Sequence, residues 1–166
     1  MNQAAETEAP GDVVPPPRSA SQRRADTLQR LERDVDLWVA TAGDEAGSPH
    51  LVPLSFLWDG TSLLIAIESA SVTSRNLQAS GRVRLGLGPT RDLVLIEGRV
   101  ETTTPAAAIS DAIGDAFATK AGFDPRRLSR PFLYFGIRPR SIQAWREANE
   151  LDGRVLMRDG RWIGSP

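Results

Sequence analysis

The sequence predicts a mainly β protein, α+β by content, whose strands form a small antiparallel barrel with peripheral helices. Short strand-like runs follow one another at hairpin spacing, and helical segments lie before and between them. Several runs are apolar on both faces, as in residues 63–67 and 93–96. The interior of a small barrel buries only one face of each strand. A helix or a second subunit must therefore cover the other face, and we expect a homodimer.

The composition is typical of one globular domain: the chain has 166 residues and a formal net charge of −1. This charge gives no electrostatic reason to expect nucleic acid or an anionic membrane as a partner. The chain has no cysteine and one histidine, His50, so we expect neither a disulfide nor a metal centre. No apolar run is long enough to cross a bilayer and no secretory signal pattern is present, which favours a cytoplasmic location.

Composition also divides the chain into three parts. Residues 1–20 begin with a proline-rich stretch that has few side chains to bury, which predicts a disordered tail. Residues 21–148 carry the barrel pattern and form the predicted domain. Residues 149–166 contain the turn dipeptide Asp159-Gly160 and predict a closing hairpin or an extension.

The pattern predicts a first helix from Ser21, capped by Ser19 or Ser21. Six strands are predicted, the last of them bent or interrupted around Pro139, over residues 37–42, 51–58, 62–67, 83–87, 93–102 and 132–145. Asp59-Gly60 suits a type I′ turn between the second and third strands. Pro105 is expected to open a second helix that runs to about residue 118.

The most informative stretch for chemistry is residues 68–77, ESASVTSRNL, directly after the third predicted strand. If Ser71 or Thr73 begins a helix, the unpaired N–H groups of its first turn form an anion site. Arg75 adds a guanidinium that can bind phosphate in a bidentate manner. A capped helix without any ligand explains the same residues, and such caps are common.

Three motifs occur in a characteristic order: GSPHLVP at 47–53, FLWDG at 56–60 and SVTSRNL at 71–77. In this order they resemble the pyridoxamine 5′-phosphate oxidase-like, FMN-binding split barrels, and are most similar to the flavin/deazaflavin-dependent oxidoreductases of actinobacteria. The similarity covers about residues 31–146. It implies a six-stranded antiparallel split β-barrel, homodimeric, with FMN or the deazaflavin coenzyme F-420 in a groove between the subunits.

The resemblance also implies roles for individual residues. Four would lie at the phosphate end of the cofactor: Ser71, Thr73, Arg75 and Asn76. Six on the second and third strands would line its ring system: His50, Val52, Pro53, Leu54, Ala66 and Ile67. Two near the end of the sixth strand would reach across the dimer: Trp145 and Arg146.

The chain departs from this family pattern at the phosphate end. Many relatives have a lysine where Thr73 stands, and some have an arginine where Ser71 stands, so Arg75 is the one basic residue left in the motif. Two functions therefore remain open. The first is an oxidoreductase that transfers a hydride between FMN or F-420 and a small organic substrate, with His50 as the only candidate for a catalytic group. The second is a non-catalytic protein that binds F-420, haem or a similar planar anion.

Overall fold

The computed structural model of the protein describes residues 15–43 and 48–163. Three parts of the sequence predictions lie outside these residues: the tail up to residue 14, positions 44–47 with Gly47 of the first motif, and the last three residues. Within the described ranges no helix is both long enough and apolar enough to cross a bilayer.

The described residues form eight strands and three α-helices. The strands are β1 (Asp36–Thr41), β2 (His50–Trp58), β3 (Leu63–Glu68), β4 (Arg82–Leu87), β5 (Leu93–Pro105), β6 (Phe132–Trp145), β7 (Val155–Arg158) and β8 (Arg161–Trp162). The helices are α1 (Ala20–Arg33), α2 (Val72–Ser80) and α3 (Asp111–Ala121). Short 3-10 helices lie at Ala106–Ala108, Pro125–Arg127 and Ala148–Glu150.

The first six strands close into an antiparallel barrel, as the sequence predicts. Their order is β3-β2-β1-β4-β5-β6, and pairing between β3 and β6 completes the ring. β6 pairs with β5 along its length, while its other edge changes partner. It pairs with β3 up to Ile137 and with β7 from Ile142, so the barrel splits between these two residues. β7 and β8 form the predicted C-terminal hairpin around Asp159-Gly160.

Two apolar clusters stabilise the barrel. The larger fills its interior and includes Phe56, Ile65 and Phe135, each fully buried. The smaller lies outside β3 and β6 and contains Phe117 of α3, whose ring meets that of Tyr134 edge to face at 5.2 Å. The second apolar face of β3 is therefore covered by helix α3 of the same chain. This explains the two-sided apolar pattern of β3 without a second subunit.

α3 is also tied to α1 by Lys120, the one lysine of the chain. Its ammonium donates to the carbonyl oxygen of Leu31 at 3.0 Å, near the C-terminal end of α1. The same nitrogen lies 4.2 Å from the centre of the Phe56 ring. A cation suits both the carbonyls of a helix end and the face of an aromatic ring. Burial at this junction lowers the pKa of Lys120.

The segment before α1 is packed against the C-terminal part of the chain. Arg18 donates through Nε and Nη2 to the two oxygens of Glu150, at 3.0 and 2.8 Å. Glu150 also accepts from the backbone N–H groups of Arg18 and Arg146, each at 2.8 Å, and is only 2% exposed. Ser19 accepts from Gln22 N–H and caps α1. Residues 15–20, assigned to the tail on composition, are therefore part of the folded unit.

Two local predictions were wrong. The helix expected from Pro105 begins at Asp111 instead, because β5 continues pairing with β6 as far as Pro105, which lies opposite Leu133. The turn at Asp59-Gly60 is not of type I′, because only Gly60 has a positive φ. The Asp59 carboxylate instead accepts from the N–H groups of Thr61 and Ser62. These bonds stabilise a connection between β2 and β3 that is longer than a two-residue turn.

The bonds to Glu150 predict a pH dependence of stability. Arg18 holds the pKa of the Glu150 carboxyl at about 2, below its ordinary value of 4.5. A carboxylate whose folded-state pKa is lowered stabilises the fold above the unfolded pKa and loses this effect as the pH falls through the folded value. We expect this group to account for a loss of up to about 3 kcal/mol of unfolding free energy between about pH 4.5 and pH 2.

Urea unfolding at several pH values measures this contribution. Glu150→Gln should be less stable than the wild type at pH 7 and should show a shallower loss on acidification. Glu147→Gln is the matched control, since the one ion pair of Glu147 among the described residues is with Arg91, which is 83% exposed. Equal pH dependence in the two variants would show that Glu150 does not carry the effect.

Candidate functional site

The candidate site is organised by helix α2, which directly follows β3 and contacts β1 and β3. Its N-cap is Ser71, whose hydroxyl accepts from the N–H of Ser74 at 3.1 Å. Its C-cap is Gly81, in the left-handed conformation that glycine adopts at low cost. Of the two helix starts that the sequence left open, Ser71 and Thr73, the structure has Ser71 as the cap.

Asn76 fixes α2 to the end of β1. Its Nδ2 donates to Oγ1 of Thr41 at 3.1 Å, and Thr41 is only 5% exposed. Thr41 lies opposite His50 in the pairing of β1 with β2. One turn further along the helix, the Ser80 hydroxyl donates to the carbonyl oxygen of Ala42 at 3.2 Å. The structure thus gathers His50 and Asn76 at the same end of β1.

The predicted phosphate residues occupy the first turns of α2. Thr73 is buried, at 2% exposure, whereas Arg75 is exposed. The Nη1 of Arg75 donates to the carbonyl oxygen of Ala70 at 2.5 Å, which places the guanidinium beside the helix N-terminus. Ser71, Thr73 and Arg75 therefore lie close together at this helix end, and their contact with a phosphate stays a prediction.

The six predicted ring-lining residues do not present their side chains to one surface. Val52 and Leu54 pack against the barrel core, while Pro53 between them is exposed on the outer face. Ile67 lies in the core, and Ala66 faces the opposite side beneath α3, with exposures of 6% and 4%. This division follows from the alternation of side chains along a strand. Contact of these residues with a planar cofactor stays a prediction.

Trp145 and Arg146 lie far from α2 within one chain. The N-terminus of α2 is next to the beginning of β6, where Ser69 N–H donates to Pro131 O at 2.9 Å. Trp145 ends this 14-residue strand, roughly 45 Å further along it at about 3.3 Å per residue. The Nε of Arg146 lies 3.7 Å from Oδ1 of Asp92. Within one chain, Trp145 and Arg146 therefore lie at the other end of β6 from the N-terminus of α2, and a contact with the cofactor across a dimer stays a prediction.

Sequence reasoning missed an apolar surface on the outer face of β1 and β2. We call it the outer patch, formed by Trp38, Ala40, Leu51 and Pro53. Trp38 lies opposite Pro53 and Ala40 opposite Leu51 in the register of the two strands. Trp38 is 52% exposed and Leu51 is 58% exposed. The alternation in β1 could have revealed it, because Trp38 lies on the opposite face from the buried Leu37 and Val39.

The comparison with known families decides which fold family this is. A family model described as pyridoxamine 5′-phosphate oxidase matches residues 27–146, most of the chain, from α1 to the end of β6. The chain belongs to the pyridoxamine 5′-phosphate oxidase family. No curated protein matches the sequence at a significant level.

Solved structures agree with this pyridoxamine 5′-phosphate oxidase fold. An F420 reductase is 20% identical with a TM-score of 0.56, covering 69% of this chain and 93% of that one. HutZ, the haem storage protein from Vibrio cholerae, is 13% identical with a TM-score of 0.54, covering 74% and 94%. General Stress Protein 26 from Bacillus anthracis is 15% identical with a TM-score of 0.52, covering 71% and 93%. At these identities the similarity establishes the fold alone.

The bond between Asn76 and Thr41 yields a prediction about this member of the pyridoxamine 5′-phosphate oxidase family. Asn76→Ala leaves the buried Thr41 hydroxyl without its donor, which costs about 1–3 kcal/mol. We expect a double-mutant cycle with Thr41→Val to give a coupling energy of about 1 kcal/mol, measured by urea unfolding. Asn149→Ala is the control, since Asn149 is exposed. Additive effects of Asn76→Ala and Thr41→Val would argue against this anchor.

Proposed function

We propose that the protein is an FMN- or F-420-dependent oxidoreductase that transfers a hydride between the bound cofactor and a small organic substrate. The observation that carries this proposal is the set of donors at the N-terminus of α2, in a chain of the pyridoxamine 5′-phosphate oxidase family. The likeness in fold to an F420 reductase adds support.

A phosphate group fits the donors at this helix end. The first backbone bond within the helix runs from Arg75 N–H to the Ser71 carbonyl at 3.1 Å. The N–H groups of Val72 and Thr73 therefore have no acceptor within the helix, and they point along its axis with the positive end of its dipole. Arg75 donates one N–H to the carbonyl oxygen of Ala70. Its guanidinium has four further N–H groups that can donate to an anion.

When bound, such a cofactor supplies the hydride chemistry, so the protein has to bind it, orient it and exclude water. Ser71, Arg75 and the backbone N–H of the buried Thr73 would hold the phosphate. Asn76 would keep α2 in position through its bond to Thr41. His50 would donate a hydrogen bond to the ring system, since it lies opposite Thr41. No nucleophilic side chain is required.

A homodimer through the outer patch is part of this proposal. The apolar row continues beyond the patch, because Trp38 lies opposite Gly86 of β4 and Gly86 opposite Leu95 of β5. The three positions form a continuous surface, since a Cβ at Gly86 would lie in ordinary van der Waals contact with both Trp38 and Leu95, each at 3.8 Å. An exposed apolar surface around a tryptophan is typical of an interface. The distance of Trp145 from α2 also favours a site completed by a second subunit.

The second candidate function is a binding protein without turnover, for F-420, haem or a similar planar anion. Arg75 is the only basic residue among 68–77, and it already donates to Ala70. The fold likeness to a haem storage protein points in the same direction. The two functions differ in turnover, so binding and oxidation must be measured separately.

Titration of the purified protein with FMN, F-420 and haem tests both candidates. We expect saturable binding of FMN or F-420 at micromolar concentration. Arg75→Ala should weaken this binding about tenfold or more, because a bond to a charged group is lost, while the melting temperature changes little. Arg161→Ala is a matched control at an exposed arginine of the C-terminal hairpin.

If neither FMN nor F-420 binds saturably, the oxidoreductase proposal is wrong. Saturable binding without oxidation of the reduced cofactor across a substrate panel would favour the binding protein. A drop in melting temperature of Arg75→Ala with unchanged affinity would assign Arg75 a structural role.

The dimer is tested by light scattering after size-exclusion chromatography. We expect a mass of twice the 18.0 kDa chain for the wild type and a single chain for Trp38→Glu. Ile113→Glu is the control, since Ile113 is 43% exposed on α3, away from the outer patch. A wild-type monomer, or dissociation by the Ile113 variant instead, would contradict an interface at the outer patch.

A further inference from the structure

A cleft of about 540 Å³ lies on the outer face of the barrel, beside the outer patch. It crosses β1, β4, β5 and β6 and reaches the C-terminal end of α2. Four of its lining residues are arginines: Arg82, Arg84, Arg99 and Arg140. Its lining also includes Ala40, which belongs to the outer patch, and backbone around Val83 and Gly98. The cleft thus combines a cationic rim with small and apolar lining residues.

The strand register places two arginines of the cleft, and a third arginine beside it, next to one another. Arg82 of β4 lies directly opposite Arg99 of β5. Arg99 in turn lies opposite Arg138 of β6. Side chains directly opposite on one face have Cβ atoms about 4.5–5.5 Å apart, and like charges in such pairs destabilise a sheet. Three guanidinium groups in one row are therefore unfavourable unless negative charge compensates them.

The carboxylates within the described ranges compensate only part of this charge. Glu97 pairs with Arg84, and Glu101 pairs with Arg138 at 3.0 Å. In residues 15–43 and 48–163, Arg82, Arg99 and Arg140 form no ion pair. Arg99 donates only to the carbonyl oxygen of Ser80, at 3.4 Å. No carboxylate of the described part of the chain therefore neutralises these three cationic groups around the cleft.

We infer that this cleft binds a small organic anion carrying at least two phosphate or carboxylate groups. Neighbouring strands are about 4.8 Å apart, so the rim from β4 to β6 is roughly 10 Å wide. An anion with two or more separated charged groups can contact guanidinium groups on both sides of such a rim at the same time. The cleft volume is that of a small-molecule site.

This site is distinct from the phosphate end proposed at α2. That end lies at the helix N-terminus, beside Ala70 and Arg75, whereas the cleft touches the opposite end of the helix at Ser80. The two sites share Thr41, which lines the cleft and accepts from Asn76. An anion in the cleft would therefore contact the same anchor that positions α2.

Thermal unfolding with defined anions tests the inference on the full chain. The probes are citrate, pyrophosphate and inorganic phosphate at equal ionic strength. Citrate or pyrophosphate should raise the melting temperature saturably, and inorganic phosphate should have a much smaller effect. A response to citrate alone would assign carboxylate groups, and one to pyrophosphate alone would assign phosphate groups.

Variants locate the binding. Arg82→Ser/Arg99→Ser should reduce the affinity for the active probe about tenfold or more. In anion-free buffer of low ionic strength the same variant should melt at the wild-type temperature or higher, because a repulsive pair is removed. Arg158→Ser/Arg161→Ser removes the same charge from two exposed arginines of the C-terminal hairpin and should leave the affinity within twofold.

Four results would overturn the inference. The first is no saturable response of the wild type to citrate or pyrophosphate. The second is binding that appears only in Asp44→Asn/Glu45→Gln, which would show that these carboxylates neutralise the arginines. The third is dissociation of a dimer by Arg82→Ser/Arg99→Ser without any anion effect, which would assign the arginines to an interface. The fourth is tighter binding of a duplex oligonucleotide than of either probe, lost in the same variant.

Discussion

The architecture depends on one strand, β6, which pairs with three other strands. One of its edges pairs with β5, and the other pairs first with β3 and then with β7. The change of partner is accompanied by a shift in register between Glu97 and Gly98 of β5. Gly98 is required there, since a Cβ would come within 2.5 Å of the Ile137 side chain. The closure of the barrel by β3 and its split towards β7 therefore meet at the register shift between β5 and β6.

Sequence patterns predicted the strands well and their ends less well, for a physical reason. Side-chain alternation and turn residues are local signals, so they show where a strand lies in the sequence. They do not show how far a distant strand continues beside it, and that pairing sets where the strand ends. β5 extends through Thr102–Thr104 to Pro105 because β6 continues opposite it, and this pairing outweighs the preference of proline for a first helical turn. Arg18 was assigned to a tail for the same reason, since its partner Glu150 is distant in the sequence.

The candidate site divides in the same way. The helix start that carries Ser71, Thr73 and Arg75 was predictable, because the three residues lie within one turn and a half and the cap is a local interaction. The cleft could not be predicted from spacing, because Arg82 and Arg99 become neighbours only through the register of β4 and β5. The residues expected to line the ring system stay a prediction, since adjacent residues such as Ala66 and Ile67 face opposite sides of a strand and only a bound cofactor would show which of them touches it.

The position of Lys120 has a practical consequence. With no other lysine in the chain, amine-directed reagents meet a single side-chain target, competing only with the main-chain amino group. That target is engaged with Leu31 and the Phe56 ring, and it must leave both before it can be acylated. The rate at which Lys120 is labelled therefore reports how often its ammonium leaves these two contacts at the junction of α1, α3 and the barrel.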